Sequence, residues 1–386
     1  MKADIQNLPA FQERLHVGRP NIGNRERLLE RINDLLDRRW LTNQGRYVQE
    51  FEQCIADFVG VKHCIATCNG TAALEIAIRA LGLASEVIVP SFTFIATAHA
   101  LQWQGIMPIF CDINPRTHNI DPKQVRRLIT SHTTGIIGVH IWGRPCDTEA
   151  LTKIAQRRDL KLLFDAAHAF GCSHKRQMIG GFGNAEVFSF HATKILNTFE
   201  GGAVVTNNDE LAVKIRLMKN FGFAGYDNVV SLGINGKMSE VSAVMGLTGL
   251  ESFDEFVAVN HSNYKQYQQE LNGVPGIRLI TYDENEKCNY QYIILEAENR
   301  DRLLEALHAE NILARRYFYP GCHHMEPYCS EGLSLPKTEH LVQRVLCLPT
   351  GTAIDSNDIS RICQIIRRQN ASYHITNLKN CQRYTM

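Results

Sequence analysis

Residues 187–205 read VFSFHATKILNTFEGGAVV. Val187, Phe188 and Phe190 form one apolar run and Ala203 to Thr206 another, each the length of a short buried strand. Between them stands Lys194, followed by Glu200, Gly201 and Gly202. A lysine in a loop between two buried strands is placed inside a core, and burial disfavours its ammonium form. That leaves a nucleophilic amine near neutral pH, which is what a Schiff-base lysine needs. Lysine is seldom buried, so a solvated loop lysine is the commoner case. The surrounding sequence reverses that expectation.

Upstream, apolar strands alternate with helices. Strands are expected at 63–67, 86–90, 107–113, 135–141 and 161–164, and helices at 25–38, 51–58, 72–81, 97–104, 122–129 and 149–157. Continuous apolar strands separated by helices mean a sheet covered on both faces. Ligands of such sheets sit outside the carboxyl ends of the strands. The segment 91–94, the pair Asp165 and His168, and the Lys194 loop all fall at such ends. Downstream, helices are expected at 210–219, 238–250 and 253–271. A second region then carries strands at 277–280, 290–295 and 315–319 and helices at 300–310 and 356–368, with a tail from Asn370 that lacks clear periodicity and is expected to fray. The expectation is an α/β protein. Its large domain, residues 1–252, holds a mostly parallel mixed sheet; a linker helix and a smaller C-terminal α+β domain fill 253–386.

Composition narrows the function. With 386 residues, 44% hydrophobic and 21% charged, the chain is ordinary for a globular protein. A net charge of +1 gives no bulk attraction to nucleic acid or to an anionic membrane. The first residues lack the continuous apolar core of a signal peptide, and no run approaches the ~18 apolar residues of a membrane span. The cysteines are scattered, with no CxxC pair, which reads as reduced thiols in a cytoplasm.

Several residues then form a candidate site. Gly70 and Thr71 follow a strand and open a helix, where free backbone N–H groups and the positive end of the helix dipole make a phosphate seat. From this motif alone a plain strand–helix turn capped by Thr71 is the commoner case, since such turns are common in α/β proteins. Asp165 ends an apolar run, 29 positions before Lys194. A carboxylate there needs a cationic partner, or serves as a helix N-cap, or both. His168 suits stacking on an aromatic cofactor or hydrogen bonding to it, and equally a satisfied buried histidine. Phe94 is a second ring neighbour or a core aromatic. Ser189 lies five residues before Lys194, in reach of a phosphate. Asn235 between two glycines, with Lys237 beside it, presents an amide and a charge to an anion, or merely forms a turn. Cys322, His323, His324 and Cys329 look like a zinc cluster at a glance, but their spacing is wrong for zinc, so no metal is expected.

Taken in order, Gly70-Thr71, Ser91-Phe92-Thr93-Phe94, Asp165-Ala166-Ala167-His168, Ser189-Phe190-His191-Ala192-Thr193-Lys194, Glu200-Gly201-Gly202 and Gly233-Ile234-Asn235 resemble the sugar aminotransferases of the DegT/DnrJ/EryC1/StrS family. The resemblance runs from about residue 18 to residue 367. It implies the fold-type-I architecture, pyridoxal 5'-phosphate as cofactor and a homodimer with shared active sites. It also implies roles. Lys194 would carry the cofactor covalently and shuttle the proton, Asp165 would pair with the pyridinium nitrogen, and His168 and Phe94 would flank the ring. Gly70, Thr71 and Ser189 would hold the phosphate, with Asn235 supplied by the partner subunit. Related dehydratases carry histidine at the position of Lys194, so the lysine favours transamination.

Segments such as Gly18-Arg19-Pro20-Asn21, Trp40-Leu41-Thr42-Asn43, His140-Ile141-Trp142-Gly143-Arg144-Pro145 and Pro320-Gly321-Cys322-His323 are similar to the branch that aminates C4 of dTDP-4-keto-6-deoxy-D-glucose with L-glutamate. That likeness implies Lys237, Tyr319 and His323 as substrate-binding residues. Many relatives have arginine at the position of Lys237, and lysine offers only a point charge there. A 3-aminotransferase acting on a dTDP-3-keto-6-deoxyhexose and a non-catalytic cofactor-binding regulator remain as alternatives. A nicotinamide enzyme is disfavoured, since no GxGxxG follows the early strands.

Overall fold

A seven-stranded sheet positions the site. In the computed structural model, which describes residues 9–329 and 332–383, its strands are β1 (His63–Thr67), β2 (Glu86–Pro90), β3 (Met107–Cys111), β4 (Thr133–Val139), β5 (Lys161–Asp165), β6 (Ala185–Ser189) and β7 (Gly202–Thr206). The opening residues 1–8, part of the stretch read above for a leader, lie outside the described residues. The spatial order is β1-β7-β6-β5-β4-β2-β3. Pairs β2/β3, β2/β4, β4/β5 and β5/β6 are parallel, while β7 runs antiparallel to both β1 and β6. The carboxyl ends of the parallel strands therefore share one edge with the start of β7.

Helices cover both faces, as the continuous apolar strands require. On one face α1 (Arg25–Arg38), α2 (Arg46–Val59) and α8 (Glu240–Glu251) pack with Phe51, Ile55, Phe188, Phe190, Val244 and Leu247 in one buried cluster, and α5 (Pro122–Leu128) and α6 (Thr148–Arg158) bury Val125, Leu151 and Ile154 against Ile88, Ile136 and Phe164. On the other, α3 (Gly70–Ala80), α4 (Ala96–Gln102) and α7 (Asp209–Met218) bury Ile76, Ile78, Leu101 and Ile215 against Val87, Val187 and Val204. Helix α8 is apolar on nearly all sides and almost wholly buried, so it sits inside the molecule rather than on its surface.

The later part of the chain builds a three-stranded antiparallel sheet from β8 (Ile277–Leu279), β9 (Ile293–Ala297) and β10 (Val345–Leu348). Around it pack α9 (Phe253–Leu271), α10 (Arg300–Ala309) and α12 (Ser356–Arg383), the last two flanking a short helix α11 (Pro336–Val342) in sequence. The N-terminal segment joins this second layer too: Phe11 and Leu15 lie in its core, and Leu15–His16 pairs in parallel with Ile312–Leu313.

Several bounds differ from expectation, and three of the differences have a clear physical reason. The strand expected over 107–113 stops at Cys111, because Asp112 turns away to accept hydrogen bonds from Thr338 N (2.9 Å), Thr338 Oγ1 (2.8 Å) and Lys337 N (3.2 Å). The strand expected over 315–319 reduces to one bridge between Arg315 and Cys347, and the chain then turns so that Phe318 buries against Phe92 and Trp142. The tail continues α12 as helix to Arg383; residues 370–383 contain neither glycine nor proline to break it. Among the described residues no helix is long and apolar enough to cross a membrane.

Candidate active site

The site is built at the shared strand edge. After β1 the chain turns through Asn69, whose side chain accepts the Ala72 N–H at 2.8 Å and caps α3. The N–H groups of Gly70 and Thr71 have no partner further back in the helix. Both neighbours crowd this turn. A Cβ on Gly70 would lie 3.0 Å from Ser189 Cβ, and one on Gly202 would lie 2.7 Å from Gly70 N and 2.6 Å from the Asn69 carbonyl carbon. Glycine is thus required for Ser189, the start of β7 and the helix N-terminus to converge. Two of the expected phosphate-seat motifs are brought together here.

Lys194 sits in the loop joining β6 and β7, and that loop is held from three sides. Its own turn closes through Lys194 N donating to His191 O at 2.8 Å and Thr198 N to Phe190 O at 2.9 Å. From the N-terminal segment, Asn21 Nδ2 donates to Ile195 O (3.1 Å) and accepts at its carbonyl from Asn197 Nδ2 (2.8 Å). Gly18, at φ +75°, lets that segment lie against Thr193, where a Cβ would come within 2.8 Å. From the later sheet, Gln291 Oε1 accepts Ile195 N–H at 2.9 Å. The Lys194 side chain is half-buried, and its Nζ meets the Tyr292 hydroxyl at 3.1 Å. Burial pushes the amine down to about 8, against the opposing pull of Asp165. His191, which could be mistaken for a base, is exposed and paired with Thr193 Oγ1 at 2.8 Å.

Asp165 ends β5 and is buried. Its two oxygens accept from Ala167 N (3.1 Å) and Thr97 Oγ1 (2.9 Å), so the carboxylate braces a turn, where the sequence suggested a helix N-terminus, while facing inward. Burial raises its pKa, and these hydrogen bonds together with Lys194 only partly offset that. The carboxylate therefore sits where a cation would be stabilised. His168 is buried as well, and burial together with the Lys194 charge holds its pKa well below the ordinary value. The imidazole is neutral, and Nδ1 accepts weakly from Trp142 N at 3.4 Å. Its ring lies 4.5 Å from Tyr292 and stacks at 5.7 Å on Trp142 and 6.0 Å on Phe318. Trp142 is held at φ 61°, a strained conformation for a bulky residue that carries its indole into this wall. Phe94 is exposed and touches the wall edge-on through Phe318 at 6.3 Å.

The remaining expected residues fall into two groups. The strap 235–237 runs beside the end of β1, with Cys68 N donating to Gly236 O at 2.8 Å. Asn235 is exposed and accepts from Lys237 Nζ at 2.6 Å, while that ammonium lies 4.8 Å over the Phe221 ring. Tyr319 and His323 each contact other side chains. Tyr319 stands between the guanidinium groups of Arg300 and Arg316, 5.1 and 4.4 Å from its ring. His323 is buried, its Nδ1 2.6 Å from Ser91 Oγ. Tyr292 meets Lys194 and Phe318 stacks on His168, both from the later part of the chain. Sequence reading had placed both in strands; a tyrosine opening an apolar strand run was the one available signal for Tyr292.

Comparisons with known proteins agree with this geometry. Residues 23–367 match the DegT/DnrJ/EryC1/StrS aminotransferase family. A dTDP-4-amino-4,6-dideoxy-D-glucose transaminase from Shigella dysenteriae is 38% identical over 92% of this chain and 99% of its own length. A GDP-perosamine synthase from Caulobacter vibrioides is 34% identical over 90% of this chain and 96% of its own. Among solved structures, that of DesI in the presence of its TDP-sugar product superimposes with a TM-score of 0.92 at 46% identity, covering 96% of this chain and 97% of DesI. The chain belongs to the DegT/DnrJ/EryC1/StrS aminotransferase family, and it is a sugar aminotransferase.

Proposed function

We propose that this enzyme transfers the amino group of L-glutamate to C4 of dTDP-4-keto-6-deoxy-D-glucose, giving dTDP-4-amino-4,6-dideoxy-D-glucose and 2-oxoglutarate. The observation that carries the reading is a half-buried amine, Lys194, pushed down to about 8 beside a buried carboxylate, Asp165, at a strand edge that also offers a phosphate seat. The names of the similar transaminase and of DesI's TDP-sugar product support the choice of a dTDP-linked 4-amino sugar.

The cofactor is pyridoxal 5'-phosphate, and the residues present fit it. The glycine-lined seat at Gly70, Thr71 and Ser189 suits a phosphate, the Asp165 carboxylate lacks a full cationic partner, and Lys194 offers the free amine. When bound, the cofactor supplies an aldehyde carbon and a protonated ring that draws electrons from the reacting carbon. Lys194 would hold it covalently and, once released, take up and return a proton at Nζ. Asp165 would keep the ring nitrogen protonated. His168, neutral and backed by Trp142, presents a flat face to one side of the ring, and Phe94 stands as candidate for the other. The Tyr292 hydroxyl steadies Nζ between proton transfers.

A homodimer is part of the proposal. Phe221, Phe223, Val229, Val230, Leu232 and Ile234 are exposed in a run that leads directly into Asn235 and Lys237. Burying that run against a second copy would carry Asn235 toward the partner's phosphate seat and Lys237 toward its substrate. We also propose two domains divided at 252/253 and a cytoplasmic setting, in keeping with cysteines that, among the described residues, stand as free thiols. The test is product NMR after incubating the purified protein with the cofactor, 15N-glutamate and the keto sugar. Nitrogen on C4 is expected; nitrogen on C3, or an unaminated sugar, would overturn the assignment.

A further inference from the structure

From the geometry we infer a divalent metal site, of the zinc type, formed by His323 Nε2, His324 Nε2 and Glu339 Oε1. The sequence pattern drew attention to Cys322 and Cys329 as partners of these histidines, and the fold replaces both. The Cys322 thiol turns inward toward Thr93 O at 3.5 Å, while the first half of α11 delivers Glu339. The three candidate ligand atoms lie within 4.8 Å of one another.

The spacing favours an ion over a set of hydrogen bonds. His323 Nε2 is 3.4 Å and His324 Nε2 3.7 Å from the same Glu339 oxygen. Charge-assisted N–H···O bonds run at about 2.7–2.9 Å, so both contacts are long. That oxygen already accepts the Leu335 N–H at 2.7 Å and cannot serve two imidazoles well besides. Zinc binds nitrogen and carboxylate oxygen at about 2.0–2.2 Å, which puts neighbouring ligand atoms of a tetrahedron roughly 3.3–3.5 Å apart. Two of the three separations, 3.4 and 3.7 Å, are close to such edges, and the third lies within 4.8 Å. Two imidazoles and one carboxylate suit zinc, cobalt or nickel rather than magnesium or calcium. His324 is partly exposed, so water could complete the coordination.

The surroundings of His323 have the form that orients a ligand. Its Nδ1 lies 2.6 Å from Ser91 Oγ, and the same oxygen accepts the His323 N–H at 3.1 Å. With Nε2 given to an ion, Nδ1–H donates to Ser91 and fixes the ring, the arrangement seen around metal-bound histidines. Ser91 directly follows β2 and precedes the Phe92–Phe94 turn. An ion here would latch α11 and the 322–324 turn to the strand edge that supports the active site, without touching Lys194.

The test uses the holoenzyme, dialysed against a chelator and titrated with zinc chloride by calorimetry, with bound metal counted by elemental analysis. One zinc per chain is expected. His324→Ala and Glu339→Gln should each weaken binding by more than the ~10–100-fold that loss of an outer partner costs, and Ser91→Ala by about that amount. Cys329→Ser should leave binding unchanged. Failure to bind one equivalent, wild-type affinity in the His324→Ala protein, or loss of binding in Cys329→Ser would each overturn the site. If Glu339→Gln disturbs the start of α11, the His324→Ala result decides, since that side chain is half in solvent.

Discussion

The Lys194 amine should react as though its pKa were near 8 rather than 10.5. The difference corresponds to ~3 kcal/mol of preference for the neutral form. At pH 7.5 about a quarter of the chains would then carry a free amine, against about a thousandth for an ordinary lysine. Burial is the cause, and the Asp165 charge opposes it. Two consequences follow. With the cofactor removed, the initial rate of covalent capture of pyridoxal phosphate at Lys194 should rise with pH and level off just above pH 8. In Asp165→Asn the opposing charge is gone, so the midpoint should move to lower pH. Both are read by quenching with borohydride over a pH series and measuring the modified Lys194 peptide by mass spectrometry, with a free lysine derivative as reference. A wild-type midpoint near 10.5, or a midpoint raised by Asp165→Asn, would refute the reasoning.

Gly202→Ala places a methyl group within 2.7 Å of Gly70 N, so the phosphate seat must open. Overpacking of ~1–3 kcal/mol should weaken cofactor binding roughly ten- to hundred-fold, and a wild-type Kd by fluorescence titration would count against the seat. Tyr292→Phe removes the hydroxyl 3.1 Å from Lys194 Nζ; kcat should fall about fivefold, worth ~1 kcal/mol, with KM less affected. An unchanged kcat would show that Tyr292 only packs. Glu52 is buried and binds Lys219 Nζ at 2.9 Å and Arg216 at 2.7 Å. Burial raises its pKa, but Lys219 and Arg216 outweigh burial and hold it below 4.5. Its contribution to stability is therefore present above pH 4.5 and lost as pH falls through the lowered value. Glu52→Ala should cost ~3–5 kcal/mol in urea unfolding at neutral pH, because it strands Lys219 without its carboxylate. A loss below about 1 kcal/mol would contradict that.

Much of this was legible because the chemistry is local. The runs ending at Thr67, Pro90 and Asp165 are continuous and apolar, so strand and carboxyl end could be read together, and Asp165 and Lys194 stood out as charges in apolar company. What was missed depends on partners far along the chain. Asp112 leaves its strand for Thr338, Phe318 leaves its expected strand for Trp142, and Tyr292 finds Lys194 across 98 positions. The likeness to relatives pointed to Tyr319 and His323, and the fold gives those side chains the partners Arg300, Arg316 and Ser91, which no local pattern announces. The metal site we propose takes Glu339 from a helix outside the 322–329 stretch, so ligand spacing within that stretch does not reveal it.

The central claim is that one amine, that of Lys194, carries the amino transfer. The most direct measurement is the visible absorbance of the cofactor-loaded protein on adding L-glutamate, in the wild type and in Lys194→Ala. The account predicts a prompt spectral change in the wild type and none at a comparable rate in the variant. A variant that responds as fast as the wild type would contradict it.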